Sequence, residues 1–388
     1  MQDAGPTEAN DRPTRIRVDL DALTHNLRAL QSHAGVPAMA IVKANAYGHG
    51  LVPVGLHLQS QGVAQLGVAL LEEGIALRCA GVRVPILVLG GIHAPQAAHF
   101  LAHDLEVTVS SIDKLRQVEQ AAAASGRKAV VHLKLDTGME RIGVHSENAA
   151  PFIEAALASP WCEVKGIYSH LACSDDPASP MTALQLERFL HACAHFDRVG
   201  APMPIRHLAN SGGVLHFPGT WLDMVRPGIT LYGVLPDPAA QATVPLRPAL
   251  SLVSRVVYFK VVHAGRTVSY GATWTAARDT RVVTVPIGYG DGYPRALSSR
   301  GEVLLRGQRH PIIGRVCMDQ LMVDLGPEGT GYNEDEVVLI GTQGEARIRC
   351  EDVAQAAGTI PYEILTGLNA RIPRTYRGGA TADEATGR

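Results

Sequence analysis

One lysine in this sequence stands where chemistry could begin. Residues 39–42 read Met-Ala-Ile-Val, Lys43 follows, and Tyr47, Gly48, His49 and Gly50 come within the next seven positions. A short apolar run ended by glycine punctuation reads as a buried strand. Lys43 then stands at the strand's C-terminal end, where a barrel keeps its active site. A partly desolvated lysine amine has a lowered pKa and can attack a carbonyl to form a Schiff base. A lysine snorkelling from a strand end into water fits the same residues. Taken alone, Lys43 fits that second reading better, because structural lysines outnumber catalytic ones.

Such a lysine needs elements to place it. Leu20, Leu23, Leu27 and Leu30 recur at three- and four-residue steps and predict a helix face ending near Gly35. Short apolar runs then alternate with helical stretches. The candidate strands are 38–42, 66–70, 85–89, 105–109, 129–135, 164–169, 204–208 and 222–225, with helical composition at 111–124 and 181–199 among others. Strands alternating with helices mean βαβ units and a parallel sheet. Eight such units before Pro227 suit a closed (β/α)8 barrel. A doubly wound open sheet is the alternative, since periodicity does not show closure. No G-x-G-x-x-G follows a first strand, which weakens its dinucleotide-binding version. The stretch 236–248 holds four prolines and reads as a linker. Beyond it β signals dominate, at 250–262, 281–286, 302–305, 311–316, 320–325 and 336–340, before short helical pieces at 351–357 and 362–368. The expected class is α/β: an N-terminal (β/α)8 TIM-type barrel over 15–240, then a C-terminal mainly-β domain over 241–376. A flexible arm (1–14) and a flexible tail (377–388) are expected to flank them.

Composition narrows the function classes. Hydrophobic residues make up 46% of the 388, enough for a sizeable core and too much for disorder. Lys plus Arg total 35 against 37 Asp plus Glu, so there is no electrostatic case for a nucleic-acid partner. The six cysteines are scattered without a C-x-x-C pair, as expected for reduced cytosolic thiols. The polar first 13 residues do not read as a signal peptide, and no apolar run reaches membrane-spanning length. The expectation is a soluble cytoplasmic protein with no membrane partner. His191 and His195 sit four apart with Cys193 between them, and read as surface histidines rather than a metal pair. No metal is expected.

The string from Ala40 to Gly50 resembles the pyridoxal phosphate attachment motif of alanine racemases. The resemblance implies that Lys43 carries pyridoxal 5'-phosphate covalently and that Tyr47 contacts its phosphate. A phosphate at the C-terminal face of a barrel calls for backbone N–H groups from the last loops. Ala209-Asn210-Ser211-Gly212-Gly213 and Val225-Arg226-Pro227-Gly228-Ile229 follow the last two candidate strands. Either could be an ordinary turn. Both resemble the family's phosphate loops, and the resemblance makes Ser211, Gly228 and Ile229 phosphate contacts; Tyr362 separately resembles another phosphate contact. Arg226, by the same resemblance, faces the pyridine nitrogen; pairing with Asp223 is the ordinary alternative. A guanidinium is effectively always protonated, so it would keep that nitrogen unprotonated and the ring a weaker electron sink. Such a ring favours quick reprotonation over decarboxylation or transamination.

Further segments resemble family motifs. In Lys134-Leu135-Asp136-Thr137-Gly138-Met139-Glu140-Arg141, Arg141 matches the residue that binds the substrate carboxylate, and Lys134 matches a position carbamylated in many members. His170 resembles the histidine stacked on the cofactor ring. In Val268-Ser269-Tyr270-Gly271, Tyr270 resembles the second acid–base group. Racemisation removes a proton from one face and delivers one to the other, so a second base beside lysine is expected. A turn tyrosine is the ordinary alternative for Tyr270. Met318 and Asp319 resemble substrate-pocket residues, and Tyr289 the tyrosine that narrows the entrance. In the family, Tyr270, Tyr289, Met318 and Asp319 reach the partner subunit's site, which implies a homodimer with composite sites.

The resemblance spans about Arg15 to Tyr376, and every catalytic position of the pattern is filled. It implies interconversion of L- and D-alanine, with Lys43 the base on the D-enantiomer and Tyr270 on the L-enantiomer, supplying D-alanine for peptidoglycan. The alternatives are a racemase of broader specificity that accepts serine, a decarboxylase of the same architecture, and a barrel-only pyridoxal phosphate carrier. The decarboxylases generally place a glutamate where this chain has Arg226. The carriers lack a β domain.

Overall fold

The structure is a computed structural model and describes residues 11–237 and 243–379. Two compact units emerge: one from residues 22–236 with 243–247, the other from 11–21, 237 and 248–379.

The first unit is a parallel barrel. Its strands, in sheet order, are Met39–Ile41, Gln65–Val68, Ile86–Val88, Glu106–Val109, Ala129–Asp136, Cys162–Tyr168 and Ile205–His207. The first four are short and buried throughout, as expected of strands covered on both faces. The eighth candidate, 222–225, is reduced to one bridge between Val225 and Ala38, because Leu222 takes a left-handed conformation (φ 51°) that ends any extension. It still closes the ring. On one side Met39 N donates to Val225 O (2.8 Å) and Ile41 N to Pro227 O (3.1 Å); on the other Asp223 N donates to Arg206 O (3.1 Å). Closure removes the open-sheet alternative.

Helices intervene between the strands. Leu20–Ala34 buries Leu23, Leu27 and Leu30, and Gly35 ends it at positive φ. Ile112–Ser125 starts at Ser111, whose hydroxyl accepts from Lys114 N at 3.1 Å, and stops at left-handed Gly126. Met181–Arg198 turns Phe189, Cys193 and Phe196 inward.

The second unit is built on a mixed sheet. Its strand order is Tyr258–Val262, Thr280–Val285, Leu321–Gly326, Gln308–Ile313, Glu302–Leu305, Glu336–Gln343, Leu250–Arg255, Arg15–Asp19 and Arg374–Arg377. Helices Cys350–Ala357 and Pro361–Gly367 complete it.

Arg15–Asp19 corrects the expectation that placed it with the barrel. It pairs antiparallel with Leu250–Arg255 and parallel with Arg374–Arg377. The physical reason lies in its alternation: Ile16 and Val18 are buried while Arg15, Arg17 and Asp19 are half-exposed, which suits a half-covered sheet rather than a barrel wall. Part of the expected arm and tail is likewise tied down. Thr14 is buried and its hydroxyl pairs with Ser254 Oγ (2.8 Å), while Arg12 bridges to Asp291 (2.8 Å). Arg377 closes the last strand and pairs with Asp19 at 2.9 Å. Residues 1–10 and 380–388 lie outside the described residues, as do 238–242 of the expected linker. Its remainder is held by Asn26, which exchanges two 2.8 Å bonds with the Arg247 backbone. Among the described residues no helix is long and apolar enough to cross a membrane.

Candidate active site

Lys43 follows the first barrel strand directly, and the chain then does something the sequence does not announce. Ala44, Asn45, Ala46 and Tyr47 all have positive φ (52°, 56°, 52° and 50°), a full left-handed turn. For L-residues this costs about 1–2 kcal/mol each, so the surroundings must hold it. Glu73 does much of that: one carboxylate oxygen accepts from Ala44 N (2.6 Å), the other from Ala69 N (2.9 Å) and Leu70 N (3.1 Å). Asn45 Oδ1 accepts from Leu51 N at 2.8 Å. The turn carries Tyr47 into the interior, 5.0 Å from the ring of Tyr232, whose hydroxyl donates to Ile41 O. Glu73 and Tyr232 are site-building residues that sequence reasoning missed. The apolar run into Tyr232 was the only signal for one, and Glu73 had none.

Burial lowers the Lys43 amine from its ordinary value, and the cations Arg141 and Arg226 push the same way while Glu73 opposes. A nucleophilic amine is what such a setting produces.

Tyr47, Ser211 and Gly228 meet at one point. A Cβ on Gly228 would lie 2.5 Å from Tyr47 Oη and 3.6 Å from Ser211 Oγ. Ser211 Oγ accepts from Gly228 N at 2.9 Å and pairs with Thr230 Oγ1 at 3.1 Å, while Asn210 Oδ1 accepts from Gly213 N. Only glycine permits this close approach of backbone to hydroxyls. The cradle gathers hydroxyls and backbone amides at one point, which fits a phosphate. Ile229 opens the one-turn 3₁₀ helix that follows Gly228.

Arg226 is buried and is not paired with Asp223, whose carboxylate is taken by Arg206 at 2.9 and 3.0 Å. Its guanidinium instead donates to Ser169 O (2.7 Å), Leu208 O (3.1 Å), His207 O and His207 Nδ1 (3.1 Å). The Tyr168 ring lies 5.2 Å from it. Burial lowers its pKa to about 10, which still leaves it charged near neutrality. His170 lies two residues past the end of Cys162–Tyr168; burial and then Arg226 hold it well below the usual histidine range, so it is neutral.

Lys134 is buried with its amine donating to Leu135 O at 2.7 Å. Burial, then Arg226 and Arg141, push it down to about 7, with Asp136 opposing. Asp136 itself gathers Gly138 N (2.8 Å), Met139 N (3.0 Å) and Arg141 N (3.2 Å) and so shapes the loop that presents Arg141. Lys43, Lys134, His170, Arg141 and Arg226 are thus brought into electrostatic reach of one another.

The β unit holds the other candidates. Tyr270 stands on a short 3₁₀ turn and is 73% exposed. Ser269 anchors that turn by donating to Arg315 O at 2.8 Å. Tyr289 N donates to Cys317 O (3.0 Å) and Gly290 N to Met318 O (2.8 Å), which joins the Tyr289 loop to the Met318–Asp319 loop. Tyr289 and Met318 are exposed, and Asp319 accepts from Arg371 at 2.7 Å. Tyr362 opens the helix Pro361–Gly367 in a half-buried position.

His191 is exposed and His195 pairs with Glu154 at 2.8 Å, while burial pushes the Cys193 thiol up to about 12. Among the described residues no group of His, Cys, Asp or Glu could hold a metal ion.

Known proteins resemble this chain along nearly its whole length. The family model described as alanine racemase, N-terminal domain, matches residues 18–236, and that for the alanine racemase C-terminal domain matches 249–376. The chain is 44% identical over 372 residues to an alanine racemase of Symbiobacterium thermophilum, covering 96% of this chain and 98% of that one. It is similar to the crystal structure of alanine racemase from D-cycloserine-producing Streptomyces lavendulae (TM-score 0.92, 40% identity, 96% and 99% of the two chains). It is also similar to the Bartonella henselae alanine racemase solved with covalently bound pyridoxal phosphate (TM-score 0.86, 30% identity, 94% and 99%).

Proposed function

Because this chain belongs to the alanine racemase family and interconverts L- and D-alanine, we propose that Lys43 and Tyr270 are its two bases and that the barrel residues around Lys43 hold pyridoxal 5'-phosphate. The observation that carries this reading is the desolvated Lys43 amine at the head of a strained turn whose far end, Tyr47, meets Ser211 and Gly228.

The cofactor, when bound, supplies the conjugated ring that accepts electron density from the substrate Cα. The chain's own residues do the rest. Tyr47, Ser211, Gly228, Ile229 and Tyr362 receive the phosphate. His170, neutral, offers a ring face for stacking. Arg226 would face the pyridine nitrogen with a guanidinium that cannot accept a proton from it, which would keep the ring a weak electron sink and favour reprotonation of Cα. Arg141 binds the alanine carboxylate. Lys43 Nζ takes the Cα proton of D-alanine, and Tyr270 Oη takes that of L-alanine from the opposite face. Met318 and Asp319 line the substrate pocket and Tyr289 narrows its entrance.

Lys134 is suited to carbamylation. An amine near pKa 7 is substantially neutral at physiological pH. Its nitrogen lone pair attacks CO₂ carbon, one C=O π pair moves to oxygen, and the amine proton leaves. The product is a buried anion in place of a cation, and it would orient Arg141.

We further infer a homodimer in which Tyr270, Tyr289, Met318 and Asp319 complete the partner subunit's site. Their exposure supports this: a catalytic tyrosine 73% open to water is poorly placed to deliver a proton without a covering surface. The cytoplasm and peptidoglycan supply are the compartment and role that fit this activity.

The test is D-alanine production by purified wild type, Lys43→Ala and Tyr270→Phe, with visible absorbance of bound cofactor recorded. Lys43→Ala should lose colour and turnover. Tyr270→Phe should keep colour and lose roughly 10²–10⁴ in turnover of L-alanine. A Tyr270→Phe enzyme with wild-type rates in both directions would sink the two-base assignment.

A further inference from the structure

A wire of side chains crosses the barrel interior behind Arg226. It begins at Glu106, the first residue of the strand Glu106–Val109, and ends at Arg226, past the last strand. Glu106 Oε2 pairs with His132 Nε2 at 2.8 Å; His132 Nδ1 pairs with His207 Nε2 at 2.8 Å; His207 Nδ1 pairs with Arg226 Nη1 at 3.1 Å. All four residues are at least nine-tenths buried. Gln65 and the half-exposed Lys165 both donate to Glu106. Tyr168 stacks on His207 at 4.7 Å, and a Cβ on Gly166 would collide with the His132 ring. The two imidazoles therefore have little freedom to turn.

The donors in this wire run one way. A guanidinium only donates, and an ionised carboxylate only accepts. Burial works against the Glu106 anion, yet the bonds from His132 and Lys165 hold its carboxyl below the ordinary value. Burial lowers His132 below the ordinary histidine value against the pull of Glu106 and holds His207 well below it, with Arg226 adding to the effect at both, so both rings are neutral. Each ring then has a single N–H. Arg226 donates into His207 Nδ1, which leaves the His207 proton on Nε2. That proton points at His132 Nδ1, which leaves the His132 proton on Nε2, facing Glu106.

We propose that Glu106 is a positioning residue for racemisation: by accepting from His132 it fixes both histidines as Nε2–H tautomers, so that Arg226 meets a ring lone pair and keeps its orientation. The tautomer assignment stands on the barrel alone. Its effect on turnover rests on the place given to Arg226 beside the cofactor ring.

Without Glu106, His132 Nε2 is left facing the Gln65 amide N–H, which shares Oε2 with it, and the Lys165 ammonium, which holds Oε1; both are donors as they stand. Their pull would put the His132 proton on Nδ1, the His207 proton on Nδ1 in turn, and a donor against the Arg226 N–H. Two donors cannot share that contact, so the guanidinium must move.

The experiment is ¹⁵N NMR of histidine-labelled protein, purified as it folds, with His132→Asn and His207→Asn variants to assign the two rings. Wild type should show both as Nε2–H with no titration across the neutral range. Glu106→Leu should show both as Nδ1–H, with kcat lowered about 10- to 100-fold and KM for alanine within about threefold. Glu106→Gln still offers an oxygen to His132, so it should restore the tautomers and most of the kcat. Either ring found as Nδ1–H in wild type overturns the proposal, even if Glu106→Leu fails to fold. So does a Glu106→Leu enzyme with unchanged kcat, or a Glu106→Gln enzyme as slow as the leucine variant. None of those results would touch the roles of Lys43 and Tyr270, which the colour and turnover of their own variants decide.

Discussion

The role proposed for Arg226, separating racemisation from neighbouring chemistries, depends on what surrounds it. Three carbonyl oxygens and a ring nitrogen accept from its guanidinium. Arg226→Glu would aim a carboxylate at those acceptors, so it should cost about 3–5 kcal/mol of stability, as breaking a buried charge arrangement does. Among molecules that fold, the ratio of transamination to racemisation should rise, because a carboxylate stabilises a protonated ring nitrogen. An unchanged product ratio would refute the electron-sink account. Lys134 gives a second test at this scale. Its folded pKa, about 7, lies below its unfolded value of 10.5. The unfolded chain therefore binds more protons between those values, and stability contributed by this group rises with pH across that window. Below pH 7 the buried cation exerts its full penalty. Lys134→Met should thus raise Tm by a few degrees at pH 6 without bicarbonate, while lowering activity at pH 8; an equal or lower Tm at pH 6 would refute the assignment.

The elements show why part of the site was readable and part was not. The run from Met39 to Lys43 was legible because a buried strand needs contiguous apolar residues and its end needs glycine. The left-handed turn after it was not, because alanine disfavours positive φ and nothing local says that Ala44 and Ala46 adopt it. The force holding it comes from Glu73, on a different element. Glu73→Ala should therefore destabilise the protein by about 2–3 kcal/mol, from lost charge-assisted bonds to three amides, and slow turnover more than it weakens alanine binding. Denaturant titration and kcat measured together would check both; loss of stability with an intact kcat would mean the turn does not position Lys43. The wire behind Arg226 was equally hidden. Glu106, His132 and His207 come from three strands, 26 and 75 residues apart, and no spacing rule joins them. Conversely, the true place of Arg15–Asp19 was readable from its alternation of buried and polar residues, a half-covered pattern unlike the unbroken burial of Met39–Ile41 or Glu106–Val109.

At the scale of the whole molecule, the barrel carries Lys43 and the β unit carries Tyr270. If partner subunits exchange Tyr270, a heterodimer of Lys43→Ala and Tyr270→Ala chains concentrates both lesions in one site and leaves the other intact. Co-expression, with chains assorting at random, should then recover about a quarter of the wild-type activity from two inactive parents, and isolated heterodimer about half. Failure to recover any activity, with heterodimer demonstrated by mass, would place Lys43 and Tyr270 of one chain in the same site. The strand Arg15–Asp19 has a different consequence, one that concerns synthesis. Its partners are Leu250–Arg255 and Arg374–Arg377, so it lies inside a sheet whose other strands are all made later. At about 5–20 residues per second, a ribosome needs tens of seconds to deliver them. The barrel segment emerges complete in that interval, while the first strand waits with both backbone edges unsatisfied. Its charged residues, Arg15, Arg17 and Asp19, alternate with the two apolar ones and keep that waiting edge a poor template for another nascent chain.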